Sequence, residues 1–240
     1  MALAKFFIEQ AAFNVGDDVT LSDKESHHAI KVRRMKQGDE VMLLNGVGTK
    51  IIGTLQNYDH KALIVHIESV TQAQTPKCQI NIAVALPKGD RQKYMLDMLT
   101  QLGVASITPL LCDYSVSQYS EKIAQRWKRT LLEACKQSEN PFLPEIYAAQ
   151  SPLGFIEKSM SNAQTNDNSI YYADRKGDLV STLSINDEAK CISILIGPEG
   201  GYSDSELSML EKKSISKLRL SRYILRVETA AIAAAAAFAN

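Results

Sequence analysis

The residue types best suited to chemistry fall in two stretches of the carboxyl-terminal third. The first, ILIGPEGGYSDSELSML (194–210), runs an apolar strand into Gly197-Pro198-Glu199-Gly200-Gly201. Ser203 and Glu206 follow at the S-x-x-E spacing of a capping box, which predicts a helix start. A glycine-rich turn at the carboxyl end of a parallel strand is where open α/β sheets bind ligands. This turn is wrong for phosphate, having neither the Lys-Ser/Thr of a P-loop nor G-x-G-x-x-G spacing. Pro198 removes a backbone donor, and Glu199 sets a negative charge where a phosphate would sit. Such a turn suits a flat, uncharged group such as adenine, and its carboxylate tolerates a cationic ligand. A turn that only caps a helix would have the same spacing.

The second stretch is LRLSRYILRVETAAIAAAAAF (218–238). Arg222 and Arg226 flank the apolar pair Ile224-Leu225 just before an Ala-rich helix. Glu228 and Thr229 fall in its first turn, where an acid and a hydroxyl favour the helix dipole, so capping alone would account for both. Alanines permit close packing, although Ala also favours helix by itself.

Strands and helices must position these stretches. From residue 79 they alternate: QINIAVAL, the helix RQKYMLDMLTQLG with an apolar stripe of Tyr94, Met95, Met98, Leu99 and Leu102, then ASITPLL. KIAQRWKRTLLEACKQ reads as a long helix with Trp127 and Leu131 on its apolar side. SIYYA (169–173), CISILI (191–196) and LRL (218–220) are further strands, and a helix begins near Val227. This alternation predicts an α/β domain with a mostly parallel sheet over 73–240. The polar stretch 159–169 reads as a surface connection. Residues 1–72 are β-prone instead, with VMLLN, KIIGTL and ALIVHI around the turn chemistry of Asn45-Gly46 and Gly48, and a short helix in DKESHHAIKVRR. They predict a small barrel, joined through TQAQTPK (71–77).

Composition is that of a globular chain, with 45% hydrophobic and 22% charged residues. No apolar run reaches the roughly 20 residues of a membrane span, and the amino-terminal residues are not a secretory signal. Cys78, Cys112, Cys135 and Cys191 are scattered without a C-x-x-C pair, so no metal is expected and a reducing, cytoplasmic setting is. Net charge is zero, against non-specific coating of nucleic acid, yet Lys24, Lys31, Arg33, Arg34 and Lys36 form a local basic patch.

The pairing of LIGPEGGYSDSE with LSRYILRVETAAIAA resembles the RsmE-type 16S rRNA uridine N3-methyltransferases of the SPOUT superfamily. HHAIKVRRMKQGDEVMLLNGVG, ALPKGDR, LGVASITPLL and RWKRTLLEACKQSENPFLPEI extend the resemblance over essentially the whole chain. It implies an α/β fold class in which a small N-terminal PUA-like β-barrel (1–72) precedes a SPOUT methyltransferase domain (73–240) with a C-terminal deep trefoil knot. It implies S-adenosylmethionine as cofactor, held by Tyr172, Ala173, Ile196, Gly197, Pro198, Glu199, Gly200, Leu220, Ser221, Tyr223, Ile224, Leu225 and Thr229. It further implies a homodimer acting on 16S rRNA, within the small ribosomal subunit.

Methyl transfer to N3 of uracil needs loss of the N3 proton, with charge spreading to the carbonyl oxygens. Arg226 is the candidate cation for that charge, and Glu228 or a water the candidate base. The bland role for Arg226 is a surface pair with Glu228. Candidates for RNA contact are His28, Arg33, Arg34, Lys88 and Arg91. The chain departs from the family pattern at Met98, Gln101, Tyr114, Asn140 and Ser221. Two other readings remain: a SPOUT enzyme acting on a different RNA nucleotide, and a non-catalytic RNA-binding adaptor.

Overall fold

In this computed structural model, residues 3–10, 12–59, 62–117, 119–161, 168–180 and 191–239 are described. The chain forms two compact units, 1–75 with 132–143, and 76–131 with 144–240.

The first unit holds a five-stranded sheet. Its strands are β1 (Ala4–Phe7), β2 (Asp18–Thr20), β3 (Glu40–Leu44), β4 (Thr49–Asp59) and β5 (Ala62–Gln72), in the order β1-β3-β4-β5-β2. Alternation along β3 to β5 buries Val41, Leu43, Ile51, Val65 and Ile67 against Phe6 and Leu21. The expected hairpin joins β3 to β4. Asn45 Oδ1 accepts from the amides of Val47 (3.0 Å) and Thr49 (2.9 Å), and Gly46 and Gly48 take φ of 78° and 103°. The expected helix near residue 23 is α1 (Asp23–His27), continued by a wider π turn over His28–Val32. Residues 132–143 return to this unit by a buried pair, Lys136 Nζ to Glu25 Oε1 at 3.0 Å.

The second unit is a six-stranded sheet in which every described pairing is parallel. Its strands are β6 (Gln79–Ala85), β7 (Ser106–Leu110), β8 (Glu145–Ile146), β9 (Asn168–Leu179), β10 (Cys191–Ile196) and β11 (Ser216–Arg219), ordered β11-β9-β10-β6-β7-β8. Its helices are α2 (Arg91–Gln101), the start of α3 (Glu121–Ser138), α4 (Pro152–Ser161), α5 (Asp204–Lys212) and α6 (Val227–Phe238). The central strands β6 and β10 are apolar and buried almost throughout, as a doubly covered sheet requires. Alanines 231, 234 and 235 let α6 lie close on α2, β6 and β10.

Two expectations need correction. The buried face of α2 is Gln92, Met95, Leu96, Leu99 and Thr100, so Tyr94 stands off the stripe assigned to it. Gln92 is buried because its amide accepts from Trp127 Nε1 (3.0 Å) and Arg126 Nη2 (2.9 Å) and donates to the Pro87 carbonyl (2.7 Å). β9 runs to Leu179, well past Ala173, and its pairing with β11 slips between Lys217 and Leu218, so that residues 173–177 bulge out. A Cβ on Gly177 would lie 2.7 Å from the backbone of Lys217 and Leu218, hence glycine there. Residues 162–167, in the expected surface connection, lie outside the described residues.

Candidate functional site

At the carboxyl ends of β9, β10 and β11 a cavity of about 710 Å³ opens. The turn after β10 supplies Ile196, Gly197, Pro198, Glu199, Gly201 and Tyr202, and the segment after β11 supplies Leu220 to Leu225. Ala173 to Lys176 come from the bulge of β9. Pro198 and Gly201 close the turn, the Gly201 amide donating to the Pro198 carbonyl at 2.9 Å with Gly201 at φ 77°. Under it the Tyr202 ring packs edge-on to Tyr172, centroids 6.0 Å apart. A Cβ on Gly197 would meet that ring at 3.0 Å, so a larger residue would have to push the ring aside. Burial pushes the Tyr202 hydroxyl well up, and it has no hydrogen-bond partner among the described residues.

The start of α5 is closed by the expected capping box. Ser203 Oγ accepts from the Glu206 amide (3.3 Å), and Glu206 Oε2 accepts from the Ser203 amide (2.8 Å). Glu206 Oε1 also accepts from the Asp113 amide at 3.1 Å, tying the loop after β7 to α5. Burial, with Glu206 next in effect, pushes the Cys112 thiol up to about 12, so it stays neutral.

A second cavity, of about 620 Å³, lies between the starts of α2 and α6. Asp90, Arg91 and Tyr94 line it from α2, and Arg226, Glu228 and Thr229 from α6. Ile224 and Leu225 line both cavities. Arg226 is the exposed N-cap of α6, and its side chain makes neither capping bond nor ion pair among the described residues. The expected alternative partner of Arg226, Glu228, is buried and lies against Arg91 instead, Oε2 to Nη1 at 3.5 Å. The same Nη1 is 3.5 Å from Glu199 Oε1, so one guanidinium spans the β10 turn and the α6 start.

Of the expected cofactor residues, Ala173, Ile196, Gly197, Pro198, Glu199, Leu220, Ser221, Tyr223, Ile224 and Leu225 line the first cavity. Tyr172 is fully buried beneath it, Gly200 packs toward Tyr114, and Thr229 faces the second cavity. Arg91, expected on RNA, is placed against the two carboxylates. Lys88 is exposed and lines neither cavity. Arg33 and Arg34 are exposed on the first unit, whereas His28 is half-buried edge-on to Phe6. Asp174, Arg175, Lys176, Tyr202 and Arg219 line the first cavity without having been expected, and Tyr94 the second. The charged residues beside Ala173 were the available signal for that bulge. Among the described residues no three His, Cys, Asp or Glu are grouped to hold a metal, and no helix is long and apolar enough to cross a membrane.

Residues 73–239 match the model of the RNA methyltransferase domain, and 21–68 that of the RNA methyltransferase PUA domain. The chain belongs to this RNA methyltransferase family. A ribosomal RNA small subunit methyltransferase E from Synechocystis is 29% identical over 88% of this chain and 69% of its own. The crystal structure of the methyltransferase of that name from Neisseria gonorrhoeae, bound to S-adenosyl methionine, superposes with a TM-score of 0.86 at 22% identity, covering 98% of this chain and 96% of that one. A methyltransferase from Legionella pneumophila in complex with SAM gives 0.83 at 25% identity, with the same coverage.

Proposed function

We propose that this protein transfers a methyl group from S-adenosylmethionine to N3 of one uridine in 16S rRNA, acting on the small ribosomal subunit. The observation that carries the proposal is the pair of cavities sharing Ile224 and Leu225, one joining apolar walls to charges of both signs, the other presenting Arg226 with no ion-pair partner among the described residues. The names of the relatives and the cofactor of the Legionella structure support it.

The first cavity fits the cofactor by its chemistry. Ile196, Leu218, Leu220 and Leu225 offer apolar walls for a flat base, and Asp174 and Glu199 favour positive charge beside them. Arg219 and Arg222 suit a carboxylate, and the buried Arg219 Nε has no hydrogen-bond partner among the described residues. When bound, S-adenosylmethionine supplies a methyl group on a positively charged sulfur. The chain holds the uracil in the second cavity, places N3 toward the shared segment, and gains rate by alignment. Arg226 meets the negative charge that develops on the carbonyl oxygens, stabilising the transition state more than the ground state. The N3 proton passes to Glu228 or to water. Exposed Arg33 and Arg34 contact phosphates. The protein works as a cytoplasmic homodimer, and its carboxyl-terminal segment is threaded as the trefoil knot of the superfamily.

Purified protein, labelled S-adenosylmethionine and small subunits from cells lacking the activity test this directly. A single N3-methyluridine mapped by mass spectrometry in 16S rRNA is expected. A methyl group on another nucleotide, or cofactor binding without transfer, would replace the proposal with a different target or an adaptor role.

A further inference from the structure

Tyr94 is out of keeping with the helix that carries it. α2 buries Met95, Leu96 and Leu99, yet Tyr94 is 57% exposed. Its side chain makes no hydrogen bond and no aromatic ring contact among the described residues. It stands three residues after Arg91, on the same side of the helix, and so lines the second cavity. Across that cavity is Ile224, 74% exposed. Two apolar groups left bare at the mouth of a cavity whose polar groups converge are the pattern of a ligand pocket.

We propose that Tyr94 is the platform on which the target base stacks, and that Arg226 sorts the base by its edge. The inference rests on the reading of this chain as a uridine methyltransferase. Every base has a π-face, so stacking on Tyr94 gives affinity without choice. Arg226 supplies the choice, because a guanidinium offers only hydrogen-bond donors. Uracil meets it with either of two carbonyl oxygens, one on each side of N3, so that N3 itself stays open to the methyl group. Cytosine presents an amino donor in place of one of them, and that donor faces the cation unsatisfied. A base lying on Tyr94 is drawn out of its own stack, which also frees N3 from pairing.

The test uses the full chain and single-stranded RNA fragments that together cover 16S rRNA, with 5-iodouridine replacing each uridine in turn. Irradiation is expected to join one position to Tyr94, identified by mass spectrometry. Tyr94→Ala is expected to weaken RNA binding about tenfold or more. Its S-adenosylmethionine affinity, melting temperature and oligomeric state are expected to stay as in wild type, and Tyr94→Phe is expected to restore binding. Crosslinks elsewhere, with Tyr94→Ala binding RNA like wild type, would overturn the inference while leaving the methyl-transfer reading intact. Loss of an oligomer in Tyr94→Ala, by light scattering, would overturn it too, marking Tyr94 as a subunit contact. A crosslink at Tyr94 in a protein that methylates no uridine would sustain the platform and sink the reaction assigned to it.

Discussion

Helices α5 and α6 begin with nearly the same backbone. The cap residues Ser203 and Arg226 both have φ of −69°, with ψ of 164° and 157°. Their side chains then part ways. At α5, Ser203 and Glu206 turn inward and satisfy each other's amides, with Asp113 fastened to the same carboxylate. At α6 the cap is an arginine whose side chain bonds nothing among the described residues and lines a cavity, while the first-turn acid Glu228 is held from outside by Arg91. Backbone geometry therefore makes a helix start, but the cap side chain decides whether that start is scaffold or is left open for a ligand. A residue without a short acceptor at the cap forgoes about 1 kcal/mol of stability, which is the usual exchange at a working site.

Substitutions at the two starts should pull stability and activity apart. Arg226→Ala should lower kcat about 10²- to 10³-fold, as for loss of one preorganised donor to a developing oxyanion, with cofactor affinity unchanged by calorimetry. Glu206→Ala strands the buried Ser203 amide and the part-buried Asp113 amide and should cost roughly 1–3 kcal/mol by denaturant titration, with loss of activity only as far as the protein unfolds. Arg91→Ala leaves Glu228 buried without its cation. Because the Arg91 side chain is itself a third exposed, the expected cost is only about 1–2 kcal/mol. The salt dependence of RNA binding should not change, whereas a phosphate contact at Arg91 would flatten it by about one. The smallest effect is the sharpest. Arg226→Ser puts a good cap on α6 and should raise the melting temperature by about 2–4 °C while lowering kcat about as much as Arg226→Ala does. A fall in both would mean that the cap position is structural after all.

Local patterns were readable in the sequence and remote pairings were not. The S-x-x-E spacing of Ser203 and Glu206 gave the capping box, because its bonds join residues three apart. The apolar strands and the Asn45 hairpin were legible for the same reason, whereas about half of the first cavity's lining was implied by the family resemblance. That Arg91 lies against Glu199 and Glu228 was not legible, because those two residues sit on other elements far along the chain. Tyr94 was placed on the wrong face because hydrophobicity alone cannot tell an aromatic residue that packs inward from one offered to a ligand. The return of residues 132–143 to the first unit brings Lys136 to Glu25 and Pro141 to Gly48, pairings no linear boundary shows.

The strip Ile224–Leu225 belongs to two cavities at once, and this has a thermodynamic consequence. A partition two residues long cannot move toward one chamber without yielding room in the other. Whatever settles against it on one side changes the free energy of settling on the other side, and reciprocity makes the two effects equal. With cofactor and base in the two cavities as proposed, they are linked ligands. Each tunes the other's dissociation constant by the same factor, and that factor is a property of the partition.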